Sequence, residues 1–271
     1  MQDCLELIYR KSLTSDLAVF RFGLPDGSFL PDFQPGQFVA LGLDIEGKRI
    51  FRDYSITSIP SEKNYYEFYI KHKEHPTEGK FTTILFQMEL GSKVFWQKPR
   101  GVFTIEEGKP KDDLRQMILV ATGTGLAPFV SYIRYLRTVQ KPKKAVLLHG
   151  VSFAAELGYS DILEETSAQT NSNLSFTYIP TVSRPNTQLS KSWTGNTGRV
   201  ESFISGIETH SSKLENVLNS KITPENSIFY LCGYKNMIDS VTDMLTAAGF
   251  ASMRNKRGDG TFDIKFELFG I

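Results

Sequence analysis

Arg52, Tyr54 and Ser55 stand in the run Arg52-Asp53-Tyr54-Ser55-Ile56-Thr57-Ser58. On a strand, Arg52, Tyr54 and Ile56 share one face while Asp53, Ser55 and Thr57 share the other. A guanidinium can grip phosphate through paired hydrogen bonds, and an aromatic ring two positions on can lie against a planar ligand. An amphipathic strand with an ordinary surface arginine would have the same pattern. A second run, Met117 to Phe129, passes from five mostly apolar residues through Thr122-Gly123-Thr124-Gly125 to Leu126-Ala127-Pro128. It predicts a buried strand that turns on glycines into a helix whose first residue is Pro128. Side-chain-free backbone lets a ligand come close, and the unpaired N–H groups and dipole of a helix start favour negative charge. The run reads Gly-x-Gly-x-x-Pro where the dinucleotide fingerprint has Gly-x-Gly-x-x-Gly, so an ordinary strand-to-helix turn stands beside a phosphate site. Cys232-Gly233 closes another apolar run, which places it at the carboxyl edge where open parallel sheets bind ligands. A small buried core cysteine is the alternative there.

Two kinds of element must position these residues. The first hundred residues favour strands, at Cys4 to Lys11, Asp16 to Phe22, Gln37 to Leu43, Arg49 to Thr57, Tyr65 to His72 and Lys93 to Trp96. Turn chemistry at Pro25-Asp26-Gly27, Gln34-Pro35-Gly36 and Glu46-Gly47 separates them. Short strands with frequent turns predict a small closed antiparallel barrel, with a further strand after Pro99-Arg100-Gly101. Phe81, Ile84, Leu85 and Met88 fall at helical spacing, so a short helix over Phe81 to Leu90 caps it. From Met117 onward strands alternate with helices. The strands are expected at Met117–Ala121, Ala145–Gly150, Leu174–Thr181, Ser227–Cys232 and Phe262–Leu268; the helices at Pro128–Thr138, Ala154–Thr166 and Asn236–Ala248, the last ending on Gly249. Such alternation predicts a five-stranded parallel sheet with helices on both faces. The boundary is expected near Lys109 to Asp113, giving domains 1–110 and 111–271. The Ser-, Thr- and Asn-rich stretch from Ser183 to Thr197 reads as a functional loop.

Composition narrows the class. The chain has 271 residues, 40% of them hydrophobic and 23% charged, as in globular proteins of one large or two ordinary domains. No apolar run reaches the roughly 18 to 20 residues of a membrane-spanning helix. The early acids of Met1-Gln2-Asp3-Cys4-Leu5-Glu6 do not suit a secretory signal. Two cysteines, Cys4 and Cys232, are too few for a disulfide framework or for an iron–sulfur cluster, which takes about four. No metal is expected, and a reducing, cytoplasmic setting is. A net charge of +1 gives no field for nucleic acid, and Lys141, Lys143 and Lys144 read as a solvated loop.

Arg-x-Tyr-Ser-x-x-Ser in a barrel, followed by Gly-Thr-Gly-Leu-Ala-Pro in an α/β domain, resembles the ferredoxin–NADP reductase family. The chain is most similar to its compact bacterial ferredoxin (flavodoxin) reductases, over nearly its whole length. The resemblance implies a Greek-key FAD-binding barrel followed by an NADP-binding α/β domain, and FAD and NADP(H) as cofactors. It implies that Arg52-Asp53-Tyr54-Ser55 holds FAD, with Arg52 on the pyrophosphate, Tyr54 stacked on the flavin and Ser55 near its reactive nitrogen. Gly79-Lys80-Phe81-Thr82 matches the family's second FAD element, a helix start for the other phosphate face, and Tyr69-Ile70-Lys71 would pass along the flavin.

On the nicotinamide side the resemblance gives Thr122, Gly123, Thr124 and Gly125 to the nucleotide. It gives Cys232 and Gly233 to the nicotinamide–flavin contact, with Met237 and Asp239 following. Ser183, Arg184 and Arg199 supply the hydroxyl and cations that a 2′-phosphate needs, where NADH sites offer a carboxylate. After His149-Gly150-Val151 relatives often carry arginine, but here stands Ser152, which implies a weaker grip on that phosphate. Phe269 is the candidate for the aromatic residue that relatives place over the flavin; a core role in the last strand is equally open. Ser55 and Cys232 are the implied catalytic residues.

The activity implied is electron transfer between NADPH and a separate one-electron carrier, ferredoxin or flavodoxin, by a monomer or weak dimer. Lys71, His72, Lys73, His75 and Lys80 offer an acidic carrier a docking face, or form a solvated loop. Alternatives are a NADH-dependent reductase component of an oxygenase or cytochrome system, and a non-catalytic flavin-binding redox sensor.

Overall fold

The computed structural model describes residues 4–73, 80–105, 113–139, 143–169 and 174–269. In chain order the elements are β1 (Cys4–Ser12), β2 (Leu17–Gly23), β3 (Phe38–Ile45), β4 (Lys48–Ser55), β5 (Tyr66–Lys71), α1 (Lys80–Gln87) and β6 (Lys93–Trp96), then β7 (Gln116–Thr122), α2 (Ala127–Leu136), β8 (Lys143–Val151), α3 (Ser160–Ala168), β9 (Leu174–Val182), β10 (Asn196–Thr197), α4 (Glu201–Ile204), α5 (Lys213–Leu218), β11 (Ser227–Gly233), α6 (Lys235–Ala247) and β12 (Ile264–Leu268). The chain divides into two compact units, one of Met1–Ile105 with Ala127–Tyr135, the other of Glu106–Leu126 with Leu136–Ile271. The expected boundary at 110/111 lies outside the described residues.

In the first unit six strands pair in the order β4-β3-β6-β1-β2-β5, antiparallel throughout. Beyond β4 the chain reaches the far edge. Ile56 bridges Phe68 of β5, and the Thr57 N–H donates to Glu67 O at 2.8 Å, which closes the barrel. Closure removes the open edges that would otherwise template aggregation. The β3–β4 turn is legible in sequence. Ile45 pairs with Lys48 across Glu46 and Gly47, both at positive φ (52° and 76°), the geometry whose twist matches the flanking strands.

Leu5, Phe20, Val39, Leu41, Ile56 and Phe68 fill the interior. Phe81 and Leu85, one turn apart on α1, plug one side; burying Phe81 contributes about 2–3 kcal/mol. The strand expected after Gly101 reduces to a single bridge, Phe38 to Arg100. Pro99 has no N–H to extend the ladder, and Gly101 turns away at φ 115°. Phe103 instead packs on Phe129 and Tyr132 of α2, and Tyr132 donates its hydroxyl proton to Phe103 O.

The second unit is a parallel sheet in the order β10-β9-β8-β7-β11-β12. The five expected strands are all present, and β10 adds a sixth of two residues. Nothing in its composition signals a strand. Side chains hold it: the Trp193 indole N–H donates to Asn196 O at 2.8 Å, and the Asn196 amide donates to Pro180 O at 3.2 Å. The order reverses between β7 and β11, so the carboxyl ends of those two strands form the switch point where such sheets bind ligands. Strand residues such as Val120, Leu148 and Leu231 pack with Phe203, Ile238 and Val241 from α4 and α6.

The helix expected over Ala154–Thr166 breaks into a 3-10 turn at Ala154–Glu156 and α3, because Tyr159 adopts φ 60°. The expected helix end at Gly249 is found, at φ 89°. Two short helices, α4 and α5, were not expected.

Candidate active site

The first unit carries the Arg-x-Tyr-Ser run on β4, hydrogen-bonded to β3 along its length. Arg52 is exposed; its Nη1 donates to Phe51 O at 2.9 Å, and among the described residues it pairs with no carboxylate. Asp53, exposed as well, is held 3.2 Å from the Arg100 guanidinium. Tyr54 is half-buried, its ring 6.1 Å from that of Phe81 and 6.3 Å from that of Phe68. Burial pushes its phenol well above the ordinary range, so it stays protonated. Ser55 is buried at the point where the barrel closes.

Two residues on, carbonyls face α2. Ser131 Oγ donates to Ser58 O at 2.7 Å, and Arg134 Nη1 donates to Thr57 O at 3.0 Å. Arg134 also reaches Glu67 (3.3 Å) and Glu62 (2.8 Å), while Arg21 holds the other oxygen of Glu67 at 2.7 Å. Glu67 is buried, so this doubly paired, hydrogen-bonded arrangement is what makes its charge tolerable. Ser58, with its Oγ accepting from the Glu67 N–H at 3.2 Å, is a structural member of the motif.

Of the second flavin element, Gly79 lies outside the described residues. Lys80 opens α1 paired with Glu46, Phe81 is a core residue with only backbone to offer, and Thr82 Oγ1 accepts from the Lys73 N–H at 3.3 Å. Tyr69 and Ile70 are buried on β5, and Lys71 pairs with Asp16 at 3.4 Å. Of the expected docking face, His75 lies outside the described residues. Lys71 and Lys80 are engaged in half-exposed pairs of the kind worth about 0–1 kcal/mol.

In the second unit β7 ends at Thr122, and a 3-10 turn, Gly123–Leu126, leads into α2. Pro128 is therefore the second residue of α2, one later than expected, still within the first turn where its missing N–H costs nothing. Two glycines have different reasons. A Cβ on Gly125 would lie 2.3 Å from Cys232 O, so the turn presses against β11 as only glycine allows. Gly123 sits at φ 54° with nothing within 4 Å of where its Cβ would be, so the ground before it is open. Thr122 Oγ1 is buried without a partner among the described residues, and a Cβ on Gly233 would lie 2.1 Å from it.

Cys232 pairs with Ala121 and Glu267 in the sheet and is fully buried. Burial, with Glu267 adding to it, pushes the thiol well above its ordinary value, so Cys232 is no thiolate nucleophile. Met237 is buried in the first turn of α6; Asp239 is taken up by Lys235 and by Arg254 at 3.6 Å. The Phe269 N–H donates to Gly233 O at 2.9 Å, which brings the chain end to the Cys232-Gly233 edge.

His149, which the motifs did not single out, belongs here. It is fully buried on β8, with Nε2 3.3 Å from Gly123 O and Nδ1 3.2 Å from the Tyr178 hydroxyl. Its signal in sequence is only a polar residue inside an apolar strand.

The remaining candidates gather beyond β9. Ser183 N–H and Oγ donate to Val151 O at 3.0 and 3.3 Å, and the Arg184 N–H donates to Ser152 O at 2.9 Å. The Arg184 guanidinium lies 5.4 Å over the Phe153 ring. Thr197 of β10 pairs with Val182 of β9, and Arg184 and Arg199 each follow that pair of strand ends by two residues. Both are exposed and neither pairs with a carboxylate among the described residues. An unclaimed cation on β4, an orphan hydroxyl beside open ground at Gly123 and two free guanidiniums beyond the sheet fit the anionic dinucleotides FAD and NADP(H).

Residues 4–105 match the family described as the oxidoreductase FAD-binding domain, and residues 119–243 the oxidoreductase NAD-binding domain. A flavodoxin/ferredoxin–NADP reductase of Buchnera aphidicola subsp. Baizongia pistaciae is 30% identical over 215 residues, 79% of each chain. The chain belongs to the ferredoxin–NADP reductase family. The ferredoxin–NADP reductase of Azotobacter vinelandii is 29% identical over 224 residues, 80% of both chains. The fold is that of a ferredoxin NADP+ reductase from Neisseria gonorrhoeae with bound FAD and NADP, at a TM-score of 0.77, 23% identity and coverage of 98% and 97%. The family bears out the expected oxidoreductase, its flavin and nicotinamide cofactors and its two-part fold. Among the described residues no helix of this family member is long and apolar enough to cross a membrane.

Proposed function

We propose that this reductase passes electrons between NADPH and a separate one-electron carrier protein, a ferredoxin or flavodoxin, with FAD held by residues 1–110 and the nicotinamide nucleotide by 111–271. The observation that carries NADPH is that Arg184 and Arg199 each follow the paired ends of β9 and β10 by two residues, with Ser183 next to Arg184: cations and a hydroxyl where NADH-specific sites offer a carboxylate. The carrier class rests on the family and the names of its relatives. The free cysteines Cys4 and Cys232 accord with a reducing, cytoplasmic setting.

FAD and the nicotinamide nucleotide, when bound, would supply the redox chemistry, hydride exchange between them and single-electron release to the carrier. The protein binds, orients and excludes water. Arg52 grips the FAD pyrophosphate, the backbone of Lys80, Phe81 and Thr82 takes its other phosphate face, and Tyr69-Ile70-Lys71 runs along the flavin. Tyr54 presents a neutral ring for stacking, and Ser55 offers a hydroxyl from the buried end of β4. Thr122 and the Gly123–Gly125 backbone orient the nicotinamide half. Cys232 contributes as a protonated, compact thiol, with Gly233, Met237 and Phe269 shaping the edge around it; Asp239 stands at the rim.

Ser152, where relatives often carry arginine, favours a second reading in which NADH serves as well. Anaerobic titration while watching the flavin absorbance band separates the two. NADPH should bleach the flavin faster than NADH, and Arg184→Ala should raise the NADPH requirement about tenfold while leaving NADH unchanged. Equal bleaching by both nucleotides with a silent Arg184→Ala sinks the NADPH reading, and no bleaching by either sinks the enzyme.

A further inference from the structure

We propose that His149 and Tyr178 are positioning residues that set the glycine turn for the nicotinamide nucleotide, by holding the Gly123–Thr124 peptide in one orientation. The inference rests on the assignment of that turn to the nucleotide and adds two residues to it.

The geometry fixes the hydrogen bonds. Gly123 O only accepts, so His149 Nε2, 3.3 Å away, must carry a proton. Burial keeps the ring neutral, which leaves Nδ1 as a lone pair that accepts from the Tyr178 hydroxyl at 3.2 Å. Tyr178 thereby selects the tautomer, and the tautomer selects the peptide. Selection is needed because Gly123 has little preference of its own. At φ 54° it occupies a region glycine enters as freely as its mirror image, so the peptide after it can turn over at little cost. In a trans peptide the C=O and N–H point opposite ways. Holding Gly123 O toward β8 therefore aims the Thr124 N–H the other way. Thr122, just before the turn, carries the orphan hydroxyl.

The register makes the contact dependable. His149 lies opposite Ala121 on β7 and opposite Pro180 on β9, so the ring is fixed by neighbours on both sides. A purely structural buried histidine would be expected to pair with any nearby core group. This one pairs with the one carbonyl whose direction sets the turn.

The test compares wild type, His149→Leu, His149→Gln and Tyr178→Phe, purified with FAD. Dissociation constants for NADP+ and for 2′-AMP, which lacks the pyrophosphate and nicotinamide, are measured by difference absorbance or calorimetry. His149→Leu should weaken NADP+ about tenfold, the loss of one buried hydrogen bond, and leave 2′-AMP and FAD content unchanged. His149→Gln, whose amide can donate to Gly123 O, should recover most of that loss. Tyr178→Phe should weaken NADP+ in the same sense and change the 15N signature of the His149 ring from the Nε2–H tautomer. NADP+ affinity unchanged in both His149→Leu and Tyr178→Phe overturns the proposal while the nucleotide assignment stands. So does an equal fall for NADP+ and 2′-AMP, which is general damage. Should His149→Leu fail to hold FAD, Tyr178→Phe decides alone. Wild type that binds neither NADP+ nor NAD+ overturns the nucleotide assignment and this proposal with it.

Discussion

Arg52 and His149 are charge-capable side chains put to opposite uses, one left exposed to meet an anion and the other held neutral to orient a backbone peptide. Arg52 is exposed and meets only the Phe51 carbonyl, so its remaining N–H donors are available. Replacing it with alanine should weaken FAD binding about tenfold to a hundredfold, read from flavin fluorescence on dilution, while the apo barrel melts within a degree or two of wild type. His149 is the opposite case, held neutral by burial with its pKa pushed from 6.5 down to about 4. The unfolded chain takes up a proton below 6.5 that the folded chain refuses until about 4, so the associated stability is complete above 6.5 and drains away as pH falls through that window. The loss amounts to about 3 kcal/mol. Urea midpoints measured from pH 7 to 4 should fall more steeply in wild type than in His149→Gln, and parallel curves would contradict the assignment.

At the scale of elements, α2 is tied to the segment that follows β4. Ser131 and Arg134 bond the Ser58 and Thr57 carbonyls, and Arg134 completes the pairing of buried Glu67. Arg134→Ala should destabilise the protein by about 2–3 kcal/mol, because buried Glu67 loses one of its cations and the Thr57 carbonyl loses the Arg134 donor. Chemical denaturation followed by tryptophan fluorescence checks the size, and Arg134→Lys should recover only part of it for want of a second donor arm. Most elements were legible, for local reasons. Glu46-Gly47 specifies a two-residue hairpin turn, and alternating apolar residues set strands whatever they later pair with. Ser212-Lys213-Leu214-Glu215 is a capping box that starts α5, with the Glu215 N–H donating to Ser212 Oγ at 3.2 Å. That signal is local and present in the sequence. For α4 and β10 no comparable local signal exists; both are stabilised by what they pack on or pair with.

At the scale of the molecule, the sheet order decides which residues become neighbours. Arg184 and Arg199 stand fifteen positions apart in sequence and come to the same edge of the sheet because β10 pairs in parallel with β9. If both grip one 2′-phosphate, Arg184→Ala and Arg199→Ala should each weaken NADPH about tenfold and the double variant by clearly less than a hundredfold. Strict additivity would mean the two cations act on different groups.

The sequence by itself determined the order of strands and helices, the barrel followed by an α/β unit, and the runs around Arg52, Gly123 and Cys232. Each of these is written in spacing over a few residues, where backbone preference and side-chain alternation act locally. Only the tertiary structure decided that His149, 26 positions away, holds Gly123 O; that Ser131, 73 positions away, holds Ser58 O; and that Arg199 comes to the same sheet edge as Arg184. Those contacts depend on pairing register and strand order, which form only when distant segments bury their apolar faces together, and no local pattern encodes them.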